Sequence, residues 1–180
     1  MVFNEIMYFC HITNNLFTIM ELQQRKSLRM QNYDYSQRGL YFLTVCTQGR
    51  KCLFGTIKDG VLSKNSAGEM IDKWYAKLSE NFPNIRCLEH IVMPNHFHCI
   101  IQIVEQSVVD ISTIMQWFKT MTTNEYIRGV KQLGWPRFEG KLWQRSFYDN
   151  VIRSQDLHYI IVDYINNNPS KWNVDKFFTE

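Results

Sequence analysis

His96-Phe97-His98 opens a strand-like run, HFHCIIQI, and is the first place where residue types and spacing could do chemistry. Side chains alternate along a strand, so the two imidazoles share one face while Phe97 points into the opposite layer. Two imidazoles a few ångströms apart can share one divalent metal. The commoner role of an isolated pair of this kind is to line a polar sheet surface, and as a metal site it lacks a third protein ligand.

A second constellation lies in DYINNNP, where Tyr164 and Asn168 sit four residues apart and so share a helix face. An amide oxygen is a hard ligand that Mg²⁺ or Mn²⁺ accepts. Asn166, Asn167 and Asn168 all lie in the last turn, and spacing does not choose among them. The Tyr164 phenol is a possible nucleophile, but with a free pKa of about 10 it needs a nearby cation or base. A metal on His96 and His98 would supply that charge. The ordinary alternative makes Tyr164 a core residue and Asn168 a helix-end residue before Pro169.

These residues need elements to position them. Leu40 to Thr47 reads as a strand, and Asp59-Gly60 between short apolar runs marks a hairpin within Leu53 to Lys64. Ser66 to Leu78 carries Met70, Ile71, Trp74, Tyr75 and Leu78 at helical spacing. Cys87 to Ile103 holds two strand-like runs joined at Met93-Pro94-Asn95. Val109 to Ile127 is a second amphipathic helix, Gly134 to Tyr148 reads as loop, and Ser154 to Asn168 is a third helix. Ser154 suits its N-cap, and Pro169 stops it. This order predicts an α+β sandwich, a ferredoxin-like core with a central antiparallel sheet flanked by helices.

The 180 residues favour one domain, 45% hydrophobic and 21% charged, which excludes global disorder. Net charge is only +3, so a polyanion must be met by a local patch, and a histone-like mode is excluded. The odd set Cys10, Cys46, Cys52, Cys87 and Cys99 lacks C-x-x-C spacing, and free thiols in a cytoplasmic protein are expected. Polar residues interrupt 1–19, so neither a signal peptide nor a membrane span is expected. The expected division is an N-terminal extension over 1–22, one domain over 23–174, and a C-terminal tail over 175–180. The densest basic-aromatic stretch runs from Trp117 to Arg153. Its candidate DNA-binding residues are Lys119, Arg128, Lys131, Arg137, Lys141, Trp143, Arg145 and Arg153, with Trp117, Trp135, Phe147 and Tyr148 interleaved.

MPNHFHCII resembles the histidine-hydrophobic-histidine motif of single-tyrosine IS200/IS605-like transposases, which are HUH endonucleases. RKSLRMQNYDYSQRGLYFLTVCTQGRKCLFG, LWQRSFYDNVIR and DYINNNPSKW are similar to the REP-associated tyrosine transposase branch. The resemblance spans about Arg25 to Trp172. It implies a single-stranded DNA nuclease and strand transferase acting at hairpin-bearing sites through a 5′-phosphotyrosine, as monomer or homodimer. It further implies Tyr164 as nucleophile, with His96, His98 and Asn168 as ligands of Mg²⁺ or Mn²⁺. Tyr148 fits the nucleophile position poorly. Asn150 stands where relatives often carry histidine. The competing expectations are a non-catalytic nucleic-acid-binding module on the same sheet and a water-using phosphodiesterase.

Overall fold

The computed structural model describes residues 33–179. The expected N-terminal extension, 1–22, lies outside the described residues, as does Cys10. Among the described residues, six strands and three α-helices run in the order β1 (Gly39–Cys46), β2 (Gly55–Lys58), β3 (Val61–Lys64), α1 (Ser66–Asn81), β4 (Ile85–Val92), β5 (His96–Ile103), α2 (Ile111–Gln132), β6 (Tyr148–Ile152) and α3 (Gln155–Asn167). A 3-10 helix, Pro169–Val174, follows α3.

The main sheet has the order β4-β5-β1-β6, with every neighbouring pair antiparallel. Setting aside the β2–β3 hairpin, the chain reads βαββαβ, which is the ferredoxin-like arrangement expected. The hairpin turns at Asp59 and Gly60, both at positive φ (52° and 74°), as a tight type I′ turn requires.

Each of the three α-helices starts on a side-chain cap. Asn65 accepts from Gly68 N, Asp110 from Thr113 N and Ser154 from Leu157 N. Helices α1 and α2 close one face of the sheet over Tyr41, Leu43, Val45, Phe97, Cys99 and Ile101, together with Ile71, Leu78, Ile114 and Phe118 from the helices themselves. The opposite face carries α3 over a smaller cluster of Phe42, Ile100, Ile152, Ile161 and Ile165. Burying one such aliphatic or aromatic side chain contributes about 1.5–3 kcal/mol, so the first face holds most of the stabilising area.

Tyr148–Ile152 is a departure from the sequence reading, which ended a loop at Tyr148 and assigned no strand after it. The five residues YDNVI pair with Leu40–Thr44 of β1 and close the sheet edge. Their polar Asp149 and Asn150 hide the period, and only the partner strand supplies it. Among the described residues Cys46, Cys52, Cys87 and Cys99 are free thiols. No helix among them is long and apolar enough to cross a membrane.

Candidate active site

Alternation along β5 puts His96 and His98 on the α3 face and Phe97 in the core beneath α1 and α2. The imidazole centroids are 4.5 Å apart. In register, Cys46 of β1 lies opposite His96 and Thr44 opposite His98. Thr44 Oγ1 is 2.7 Å from His98 Nδ1. The Asn95 amide nitrogen donates to the Phe177 and Arg50 carbonyls at 2.8 and 3.2 Å, which turns Asn95 Oδ1 toward His96 Nδ1 at 2.8 Å. His96 Nδ1 therefore carries the hydrogen, and the Nε2 lone pair is left for the interior of the site.

Helix α3 brings the phenol. Tyr164 Oη lies 3.3 Å from His98 Nε2 and 3.4 Å from Asp175 Oδ2, with its ring 5.2 Å from the His98 ring. Asn168, at the end of the same helix, donates from Nδ2 to Asp175 Oδ2 at 3.3 Å. The other two asparagines point elsewhere: Asn166 is exposed, and Asn167 donates to Asp163 at 2.8 Å. Tyrosine helix and histidine pair meet within one chain.

Donor atoms of His96, His98 and Asp175 all lie within 4.8 Å of one another. Two buried polar atoms of the site, His96 Nε2 and Asn168 Oδ1, have no hydrogen-bond partner among the described residues. An orphaned buried acceptor costs about 1–3 kcal/mol, and two of them in one cluster fit the donor set of a cation site. Two imidazole nitrogens, an amide oxygen and a carboxylate thus suit a divalent ion.

The electrostatics follow from burial. Desolvation drives the His98 pKa down to about 3, aided by the Lys176 charge. Desolvation likewise holds His96 well below its ordinary value, with the His98 charge adding to it. Both imidazoles are then neutral, the form that ligates metal. Burial, then the Asp175 charge, raises the Tyr164 pKa, so the phenol keeps its proton. Asp175 is itself raised by burial.

Neither imidazole reaches solvent: both are 0% exposed. Trp172 stacks on His96 at 6.0 Å, and Phe177 sits 4.8 Å from the His96 ring and 6.0 Å from the His98 ring. The cover is not apolar throughout, since Asp175, Asn168 and Thr44 belong to it. The segment expected as a C-terminal tail thus contributes Asp175 and the buried Phe177. Sequence reasoning missed Asn95, Thr44, Asp175 and Phe177. Asn95 adjoins the histidine pair and could have been weighed; Asp175 follows a helix break and carries no periodic signal.

The expected DNA-binding residues have different surroundings. Trp143 is 3% exposed, donates its indole hydrogen to Thr122 Oγ1 at 2.9 Å and packs in the core. Lys119 is partly buried and donates to the carbonyls of Gln144 and Arg145 at 2.6 and 2.9 Å. Arg128 is ion-paired with Glu125. Lys131 and Arg137 flank a small cleft of about 240 Å³ with Ile127, Val130 and Phe138. Lys141 and Arg145 line a larger groove, and Arg153 is exposed just before α3. Trp117 packs on Trp74 and Phe82, and Trp135 on Tyr126. Tyr148, opposite Thr44, lies under the Lys176 ammonium at 4.9 Å.

Residues 43–168, more than half the chain, match the family described as "Transposase IS200 like". The chain belongs to that family. An uncharacterized protein of Haemophilus influenzae is 30% identical over 172 residues, covering 88% of this chain and 96% of its own. Another H. influenzae protein, named "Putative REP-associated tyrosine transposase", is 28% identical over 79% of this chain and 77% of its own. The fold of this chain is similar to that of a REP-associated tyrosine transposase solved bound to a REP hairpin. The TM-score is 0.59 at 22% identity, over 79% of this chain and 73% of that one. A "putative transposase" from Deinococcus radiodurans gives 0.50 at 19% identity, over 77% and 95%.

Proposed function

We propose that this chain cuts and rejoins single-stranded, hairpin-bearing DNA, with Tyr164 as nucleophile and His96, His98 and Asn168 as ligands of Mg²⁺ or Mn²⁺. The observation that carries the reading is the Tyr164 phenol 3.3 Å from His98 Nε2, beside two buried polar atoms with no partner among the described residues. A divalent ion bound there would supply positive charge to the phosphate under attack. The relative solved with a REP hairpin supports hairpin DNA as the partner.

The chain's own residues do the remaining work. Asp175 Oδ2, already an acceptor for the phenolic hydrogen, takes that proton as Tyr164 Oη closes on phosphorus. The bond from phosphorus to the 3′ oxygen breaks, and the departing oxygen takes a proton from water to leave a 3′-hydroxyl. The 5′ phosphate stays on Tyr164. In the reverse step a 3′-hydroxyl gives its proton back to solvent as its oxygen attacks that phosphotyrosine, and Tyr164 recovers its proton from Asp175. Phosphodiester bonds are exchanged one for one, so no ATP is needed. His98 and Phe42 hold the phenol from two sides, at 5.2 and 6.1 Å between ring centroids.

A second reading, a DNA-binding module that does not cut, is favoured by the complete cover over both imidazoles. A phosphodiester reaches them only when Trp172 and Phe177 move aside. Incubation of labelled hairpin DNA with the protein and Mn²⁺, read on a denaturing gel, separates the readings. Cutting through Tyr164 gives a covalent protein–DNA band that Tyr164→Phe does not form. Cleavage without such a band would assign water as the nucleophile, and binding without cleavage would leave the module.

A further inference from the structure

A groove of about 950 Å³ opens between α2 and the 140–147 loop, away from the α3 face. Its α2 wall is a polar stripe, Gln116, Thr120 and Asn124, spaced four apart and so on one side of the helix. Ile114, Phe118 and Thr122, on the helix's other side, are core. The facing wall carries Lys141 and Arg145, both exposed. No carboxylate lines the groove among the described residues, so its charge is positive and it selects for an anion.

The basic wall is fixed in place. Gln48 N donates to the Leu142 carbonyl at 2.8 Å, and Gln144 N to the Cys46 carbonyl at 2.9 Å. Lys119 ties down the next two carbonyls with two of its three donors. Lys119 is therefore a positioning residue for the loop that displays Arg145. The hydroxyl of Thr120 is already engaged by the Gln116 carbonyl at 2.8 Å. The side-chain amides of Gln116 and Asn124 make no hydrogen bond to the described residues. Paired donor and acceptor groups on an amide are what read the edge of a nucleobase, while cations meet phosphates.

The loop also connects the groove to the candidate active site. Trp143 bridges to Thr47 and, a few residues on, Tyr148 pairs with Thr44, the residue bonded to His98. This segment is the edge of the sheet, so a strand leaving the Tyr164 site can cross it and enter the groove.

We propose that this groove binds the unpaired stretch of the DNA strand flanking the cleavage point, with Lys141 and Arg145 on phosphates and Gln116 and Asn124 on base edges. The inference rests on the reading of the Tyr164 site as one that cuts DNA. The test is fluorescence anisotropy of the full chain, with chelator present to prevent cutting. Two probes are used, a hairpin with a single-stranded flank and the same hairpin without one. Lys141→Ala combined with Arg145→Ala should weaken the flanked probe about tenfold and lower the log–log salt slope by about 1.4, two contacts at about 0.7 each. The flankless hairpin should bind the variant as it binds wild type. Gln116→Ala combined with Asn124→Ala should leave the slope unchanged and compress the spread of affinities across flank sequences at least about fivefold, the lower limit of one lost base contact.

Unchanged slope and affinity in the charge variant, or equal losses on both probes, would overturn the groove assignment. Covalent adducts with Mn²⁺ report on Tyr164 separately. Adducts from wild type alongside an unchanged charge variant would remove the groove alone. Groove effects without adducts would remove the Tyr164 reading and retain the groove as a strand-binding site.

Discussion

The two faces of the central sheet bury comparable residues on the same strand and use them for opposite ends. On the α1–α2 side β5 presents Phe97, Cys99, Ile101 and Ile103, all 0% exposed, to aliphatic and aromatic partners. On the α3 side it presents His96 and His98, equally buried, to a phenol, an amide and a carboxylate. The first face gains free energy from each contact. The second leaves His96 Nε2 and Asn168 Oδ1 desolvated without partners, at about 1–3 kcal/mol each. A molecule holds such a face only when the larger core beneath carries the cost.

Substitutions on the two faces should therefore dissociate stability from activity. Tyr164→Phe is expected to abolish covalent adducts while the urea midpoint moves little, because the ring packing on His98 and Phe42 is retained. On the other face, Phe97→Ala should cost about 3–5 kcal/mol by leaving a cavity against Tyr75 and Phe118, read from the same denaturation curve.

Titration with Mn²⁺ should raise the melting temperature, reversibly with chelator, by about 2.7 kcal/mol of stability at a hundredfold excess over Kd. A melting temperature indifferent to the ion would contradict the cation site. Acid should act in the same region. Below pH 6.5 the unfolded chain takes up protons on His96 and His98 that the folded chain refuses, down to about 3 for His98, so stability falls as pH drops. Asp175, raised above 3.8, works the other way by binding its proton first in the folded chain. Two histidines against one aspartate leave a net loss, visible as a lower urea midpoint at pH 5 than at pH 7. The smallest effect is expected from Asn168→Leu. Stability should change by no more than about 1 kcal/mol, since relief of the orphaned oxygen is offset by loss of the Nδ2 bond to Asp175, yet the Mn²⁺ stabilisation should shrink.

Much of the arrangement was legible before any coordinates. Apolar spacing in Met70–Leu78 and Ile111–Phe118 fixes two helices, and Ser154 and Pro169 bracket the third. The HFH alternation alone puts both imidazoles on one face, and the four-residue step from Tyr164 to Asn168 puts phenol and amide on another. The β6 strand was not legible, because Asp149 and Asn150 interrupt its apolar pattern and β1 enforces it. Trp143, flanked by Lys141 and Arg145, reads as a stacking platform, whereas the fold bonds its indole to Thr122 within the core.

The sequence determined which chemical groups exist and which of them share a strand or a helix turn, because backbone periodicity is local. It could not determine that Asp175 returns, after the break at Pro169, to accept from Tyr164 and Asn168 together. Nor could it tell that Trp172 and Phe177 close over the histidines. Those meetings join segments far apart in sequence, and only the packing of α3 and the Pro169–Val174 turn against the sheet brings them within hydrogen-bond distance.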